Sequence, residues 1–266
     1  MLAPGLVMPP EDLEPPGRGF RVTCLGRAGS YPAPGEATTG YLVSTGTTHV
    51  LVDCGAGVLA NLLRVLPPWR LAALILTHAH PDHVSDLVVL PHLIEWVAWR
   101  RLSQRRPLPV YAAPETAASL ERLLDDPTLE VHPLAAAEAR GIGDLAVRCA
   151  RVEHPVETWA VRLEHGGASF VFSADTGPTP ALAGLAREAD LFVCEATLPD
   201  EMADRAGHIG HLTPALAAQA AAEAGARRLL LTHIAMGFDP DRFAAAAAAA
   251  GPVPVEPARP LETYPV

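Results

Sequence analysis

The stretch Thr77-His78-Ala79-His80-Pro81-Asp82-His83 decides how the chain is read. It follows an apolar run over residues 71–76, which reads as a buried strand, and precedes an amphipathic helical pattern over residues 84–99. Three histidines and a carboxylate therefore crowd a turn at a strand end. Imidazole and carboxylate are the ligands expected for zinc and related divalent metals. The spacing offers four donors, more than one tetrahedral site with an open position wants. Two adjacent ions account for the surplus, with His78 and His80 on one and Asp82 and His83 on the other.

This H-x-H-x-D-H pattern resembles the metallo-β-lactamase-fold hydrolases. The resemblance covers roughly residues 20–243 and implies an α/β fold, a four-layer αββα sandwich with a dinuclear metal site at one edge of its two sheets. It is similar in particular to the ribonuclease Z-like and phosphodiesterase branch.

Composition sets the outer bounds. At 266 residues with 49% hydrophobic side chains the chain is long enough for a substantial core. The expected division is a flexible N-terminal arm, proline-rich, over residues 1–19 and a single hydrolase domain over 20–266. No apolar run approaches the ~20 residues of a membrane span, and no secretory signal pattern opens the chain. A cytoplasmic protein that does not engage membranes is the expectation. The net charge is −10, and every basic residue is arginine. That acidic balance argues against a long nucleic acid as the main partner. Arg100, Arg101, Arg105 and Arg106 form the one dense basic cluster, which reads as a solvated helix end. Cys24, Cys54, Cys149 and Cys194 form no C-x-x-C pair and read as free thiols in or beside strands.

Strands are expected at 20–25, 40–44, 49–52, 110–112, 131–134, 145–152, 159–163, 169–173, 191–194 and 228–232. Helices are expected at 58–66, 82–104, 114–124, 178–187, 214–224 and 239–250, followed by a proline-rich tail. Thr213 reads as the N-cap and Gly225 as the stop of the 214–224 helix. The glycine- and proline-bearing loop at 26–39 lacks the Gly-Lys-Ser/Thr of a phosphate-binding loop. In ribonuclease Z-like relatives a similar loop lies close to the site. Asp53 ends a strand and is either a ligand or, as the resemblance implies, a brace for the metal loop. His49, His92 and His132 read as structural or surface residues.

Three further candidates stand at strand ends. His154 supplies a third neutral ligand, Asp175 is a carboxylate able to reach two ions, and His233 closes the strand at 228–232. Asp175 alone also reads as a helix N-cap. The resemblance implies seven metal ligands: His78, His80 and His154 on one ion, Asp82, His83 and His233 on the other, and Asp175 between. Two divalent metal ions are implied, zinc first, with manganese or iron using similar ligands. Such a pair shares a hydroxide and offsets developing negative charge. Asp82 is placed to orient that hydroxide. His211 matches the histidine that ribonuclease Z-like relatives place beside the scissile phosphate, and Glu195 the acidic residue that holds it. His208 is a second candidate for the acid.

Ribonuclease Z carries a long arm between the third histidine motif and the bridging aspartate, where it grips tRNA. Only residues 155–174 fill that interval here. Processing of tRNA is therefore not expected, and a small phosphodiester such as a cyclic nucleotide is the expected substrate. The rivals are a ribonuclease Z-like endoribonuclease, a lactonase, β-lactamase or thioester hydrolase, and a metal-binding protein without turnover. A homodimer is what the resemblance suggests.

Overall fold

The computed structural model describes residues 13–101, 106–135 and 139–266, with the side chains of 96–101 and of Leu123 excepted. Residues 1–12 of the expected arm lie outside this description, as do Gln104, Arg105 and the side chains of Arg100 and Arg101. Two seven-stranded sheets carry the fold. Across the first, the order is Thr263–Pro265, Arg21–Gly26, Gly40–Ser44, His49–Val52, Ala73–Leu76, Leu108–Ala112 and Leu129–Pro133. Across the second it is Val255–Pro257, Leu229–Thr232, Leu191–Glu195, Ala168–Phe172, Trp159–His165, Leu145–Arg151 and Arg140–Ile142. In each sheet pairing changes from antiparallel to parallel at one strand. That strand is His49–Val52 in the first sheet and Ala168–Phe172 in the second.

Strand side chains alternate between faces, and the alternation builds the layers. Val50, Val52, Ala73 and Ile75 face Val161, Phe170, Phe172 and Val193 in the cluster between the sheets. Their neighbours Leu51, Leu74 and Leu76 turn outward onto Val58, Leu62 and Leu87. On the other side Val171, Phe192, Leu229 and Leu231 turn outward onto Ala217, Ala221, Phe243 and Ala247 of the helices Pro214–Ala224 and Pro240–Ala250. Three apolar interfaces therefore separate four layers, helix–sheet–sheet–helix, the αββα sandwich that the sequence motif implied. Strands buried on both faces explain why 71–76 and 229–231 are unbroken apolar runs rather than alternating ones.

Several boundaries differ from the sequence expectation. The helix expected over 82–104 is broken into Pro81–Val84, a 3-10 turn at Ser85–Val88, and Leu90–Arg101. Asp86 is the reason: its carboxylate accepts the Leu59 N–H at 2.9 Å and its own N–H donates to the Cys54 carbonyl, so this turn is tied sideways. The helix expected over 58–66 is Val58–Leu62, and that over 114–124 is split at Leu120. The expected proline-rich tail is not irregular, since Val255–Pro257 and Thr263–Pro265 each close the edge of one sheet. Edge positions tolerate proline because one row of backbone groups has no partner to lose. The thiols are free, Cys24, Cys54 and Cys194 buried and Cys149 half-buried. His92 is exposed, His132 stacks on Tyr111, and His49 is buried with Nδ1 3.0 Å from Ser44 Oγ.

Phe172 sits between the sheets at 1% exposure with its ring 5.2 Å from that of Tyr41. Phe172→Ala is expected to cost about 3–5 kcal/mol, the usual range for emptying an aromatic site in a packed core. A urea unfolding midpoint little changed from the parent would show that the sheets are not packed as described.

Candidate metal centre and acid

The site is assembled at the carboxyl ends of strands, next to the points where pairing changes direction, where open α/β sheets place their ligands. The loop after Ala73–Leu76 carries His78, His80, Asp82 and His83. It is docked by backbone bonds: Thr39 N–H donates to the Asp82 carbonyl at 3.1 Å and Cys54 N–H to the His83 carbonyl at 2.7 Å. Gly55 makes that approach possible, because a Cβ there would lie 2.0 Å from the Asp82 carbonyl oxygen. Four residues around the site, Ser30, Asp53, Ala174 and His233, adopt positive φ of 52–65° without being glycine. Such backbone is costly and is retained where surrounding contacts over-determine it. Here it turns the chain sharply at three strand ends, before Asp175 and at Asp53 and His233 themselves.

Two groups of donors converge. In one, His80 Nδ1 lies 3.1 Å from both His78 Nε2 and His154 Nε2. Asp175 Oδ2 stands 3.6 Å from His78 Nε2 and 3.9 Å from His154 Nε2. In the other, His233 Nε2 lies 2.9 Å from Asp82 Oδ2 and 3.3 Å from His83 Nε2. Asp175 Oδ1 stands 3.3 Å from His83 Nε2 and 3.4 Å from His233 Nε2. One carboxylate thus points an oxygen at each group. All seven expected ligands are brought together, and within each group the donor atoms lie within 4.8 Å of one another.

Outward-facing atoms hold the rings. His83 Nδ1 donates to Asp53 Oδ2 at 2.7 Å, and the same carboxylate accepts the Thr77 N–H and hydroxyl at 2.8 Å each. Asp53 is therefore a brace rather than a member of either donor group. His154 Nδ1 donates to the Gly210 carbonyl at 2.8 Å. His233 Nδ1 lies 2.8 Å from the Thr197 hydroxyl, and His78 Nδ1 3.1 Å from that of Thr77. With Nδ1 held from outside, Nε2 of each of these four rings faces the interior, the orientation metal-binding imidazoles need.

The charge balance fits divalent ions. Asp175 is 2% exposed, and its buried Oδ1 has no aligned hydrogen-bond donor. Burial opposes charge on Asp175, yet His233, His83 and His78 hold its carboxyl well below the usual range. Burial likewise disfavours a charged His83, but the Asp175 and Asp53 carboxylates outweigh it and raise the imidazole. Asp82 sits at about 2, with burial opposed by the His233 hydrogen bond and two neighbouring imidazoles. His78, His80 and His154 are lowered, first by burial, and so present neutral nitrogen. Neutral imidazoles at His78, His80 and His154, and a buried Asp175 carboxylate with one oxygen unpartnered, are donors suited to divalent cations.

His211 stands at the same place, its ring 5.0 Å from that of His154 and 5.6 Å from that of His233. Its Nδ1 donates to Glu195 Oε1 at 2.8 Å. Glu195 is fully buried and also accepts from the N–H groups of Thr176, Thr197 and Leu212 and from the Thr197 hydroxyl. Burial lowers His211, but Glu195 outweighs it and lifts the imidazole to about 9. His208 is exposed, and no hydrogen bond or ion pair ties it to these groups among the described residues. The 178–187 helix is capped by Thr179, not Asp175. Sequence reasoning missed Thr77 and Thr197, whose hydroxyls sit beside or two residues after a site residue. It also missed the Ser30 N–H, which donates to Asp82 Oδ2 at 2.7 Å from within the 26–39 loop.

Residues 48–234 match the family model described as the β-lactamase superfamily domain. The chain belongs to that superfamily. It is 31% identical over 220 residues to the "Probable metallo-hydrolase YhfI" of Bacillus subtilis strain 168, covering 81% of this chain and 87% of that protein. The YhfI crystal structure superposes with a TM-score of 0.86 at 27% identity, covering 93% of this chain and 99% of that one. The ribonuclease Z of Mycobacterium bovis is 31% identical over 248 residues, covering 83% and 88% of the two chains. A diphosphatase of the PhnP family shares the fold, with a TM-score of 0.71, 18% identity and 93% and 98% coverage. None of the described helices is long and apolar enough to cross a membrane.

If Asp53 only braces His83, Asp53→Asn is expected to weaken binding of divalent metal about 10- to 100-fold while two ions still bind at saturation. Competition against a chromogenic chelator measures both. A fall to one ion per chain would make Asp53 a ligand.

Proposed function

We propose that the protein is a dinuclear metal-dependent hydrolase of small phosphodiesters, with a cyclic nucleotide the expected kind of substrate. The observation that carries this is His211, its Nδ1 2.8 Å from buried Glu195 and its ring beside those of His154 and His233, one from each donor group. Cleavage of a phosphodiester expels an alkoxide, which needs a proton, and a cationic imidazole beside the site has one to give. Two ions, one held by His78, His80 and His154 and the other by Asp82, His83 and His233 with Asp175 shared, would supply a nucleophile at neutral pH and charge to offset that developing on the phosphoryl oxygens. Glu195 fixes the proton on His211 Nδ1, which leaves Nε2–H to face substrate. Asp82, anionic and tied to His233 and to the Ser30 N–H, has lone pairs to orient an attacking water.

Two further observations support a small substrate. The interval between His154 and Asp175 is filled by the hairpin Trp159–His165 and Ala168–Phe172, with no inserted arm. The net charge of −10 disfavours a long polyanion. The likeness to a ribonuclease Z supports phosphodiester chemistry as such. Zinc remains the first expectation for the ions, and a cytoplasmic homodimer of one hydrolase domain the expected form.

His211→Ala is expected to lower kcat on a 3′,5′-cyclic nucleotide by about 10²- to 10⁴-fold, the usual worth of a positioned acid. The loss on bis-p-nitrophenyl phosphate is smaller, because nitrophenolate leaves without a proton. Turnover confined to a lactone or lactam, or an equal loss on both diesters, would contradict the assignment.

The pH dependence has a definite sign. Glu195 raises His211 against burial, so kcat is expected to fall on the alkaline side as pH rises through the pKa at which His211 loses its proton. In Glu195→Gln the anion that raises His211 is gone, and the alkaline limb moves to lower pH. An unmoved limb would remove His211 from the acid role.

A further inference from the structure

The two-stranded pair Ala28–Gly29 and Ile234–Ala235 lies outside both large sheets and belongs to no element that the sequence suggested. It starts immediately after His233, and it runs parallel, so the segments that leave it emerge side by side. On one strand Ser30 takes φ 65°, its N–H is fixed by the Asp82 carboxylate, and Tyr31 N–H closes the turn onto the Gly29 carbonyl at 2.9 Å. That strained turn is therefore set by a residue of the donor group itself. On the other strand Ala235-Met236-Gly237-Phe238 is a tight turn, closed by Phe238 N–H on the Ala235 carbonyl, with Gly237 at φ 98° in the place where a positive φ is required.

Both turns expose large apolar side chains. Tyr31 is 49% exposed, Met236 46% and Phe238 43%, three of the few such residues among those described. Phe238 is not loose, because its ring packs 5.2 Å from that of Phe243, itself buried. Of the cations nearby in sequence, Arg27 is paired with Glu36 at 2.5 Å and Arg242 lies 3.9 Å from Asp239, so neither is set aside for a second phosphate. Aromatic and thioether side chains on two turns that leave the backbone beside His233 and Asp82 suit a ligand with a phosphate at one end and a planar ring at the other.

We propose that Tyr31, Met236 and Phe238 form a stacking platform for the base of a nucleoside phosphodiester whose phosphate reaches the Asp82–His233 group. The inference rests on the hydrolase reading for its chemistry but not for its binding. Base–aromatic stacking tolerates any base, so the platform selects for nucleosides over base-free sugars rather than for one nucleotide.

The test compares the parent with Tyr31→Leu/Phe238→Leu, which keeps apolar volume and removes both rings. Substrates are cyclic AMP and an abasic methyl riboside 3′,5′-cyclic phosphate, and AMP and ribose 5-phosphate are the equilibrium ligands. The expected result is a KM for cyclic AMP raised about tenfold or more with kcat little changed. The abasic diester is expected to be unaffected and AMP binding weakened in step. Equal KM values for parent and variant overturn the platform while leaving the hydrolase reading standing. If the metal-loaded parent turns over no diester, that reading fails, and AMP binding that depends on the two rings still supports the platform. A variant that changes from dimer to monomer by light scattering, with AMP binding unchanged, makes the patch a contact between copies and overturns the proposal.

Discussion

The fold turns on one buried carboxylate. Asp175 lies at the junction of both sheets, 2% exposed, with one oxygen facing the His78–His80–His154 group and the other facing Asp82, His83 and His233. A lone carboxylate in such a place costs several kcal/mol to desolvate unless positive charge reaches it. The chain answers with five imidazoles and few fixed cations, since no arginine is paired with Asp175 among the described residues. Imidazole is a weak remedy as an ion-pair partner and a good one as a co-ligand. The arrangement is therefore economical for binding cations and poor as a purely structural network.

The rest of the architecture serves that constraint. The parallel halves of the two sheets end on the same side, and sharp left-handed residues turn the chain at Asp53, Ala174 and His233 so that side chains converge. Four of the five rings are then fixed from behind, His83 by Asp53, His78 by Thr77, His233 by Thr197 and His154 by the Gly210 carbonyl. The Thr197 hydroxyl has one proton. It accepts from His233 Nδ1–H and donates to Glu195 Oε2, so the acid at His211 and the donor at His233 share one chain of hydrogen bonds through Glu195. Catalytic power in such sites comes from dipoles held in place before substrate arrives.

Much of this was legible in the sequence, and the reason is local. His78, His80, Asp82 and His83 lie within one turn, so their spacing alone states the chemistry. His154, Asp175 and His233 each stand after a strand, those before Asp175 and His233 buried on both faces and plain as apolar runs, and the family resemblance assigned each its role. Asp53 was ambiguous from spacing, and only the fold shows its carboxylate turned onto His83 and Thr77 rather than into the donor groups. Thr197 and Ser30 were not legible, because a hydroxyl or a backbone N–H carries no pattern and Ser30 meets a partner distant in sequence. The edge strands at Val255–Pro257 and Thr263–Pro265 were missed because their pairing comes from neighbours, not from propensity.

The most direct measurement is a crystal structure of the protein loaded with zinc, with the ions located by anomalous scattering at the zinc edge. The account predicts two ions per chain, each bound by one oxygen of Asp175. A single ion, or two ions with Asp175 bound to neither or to only one, would contradict it.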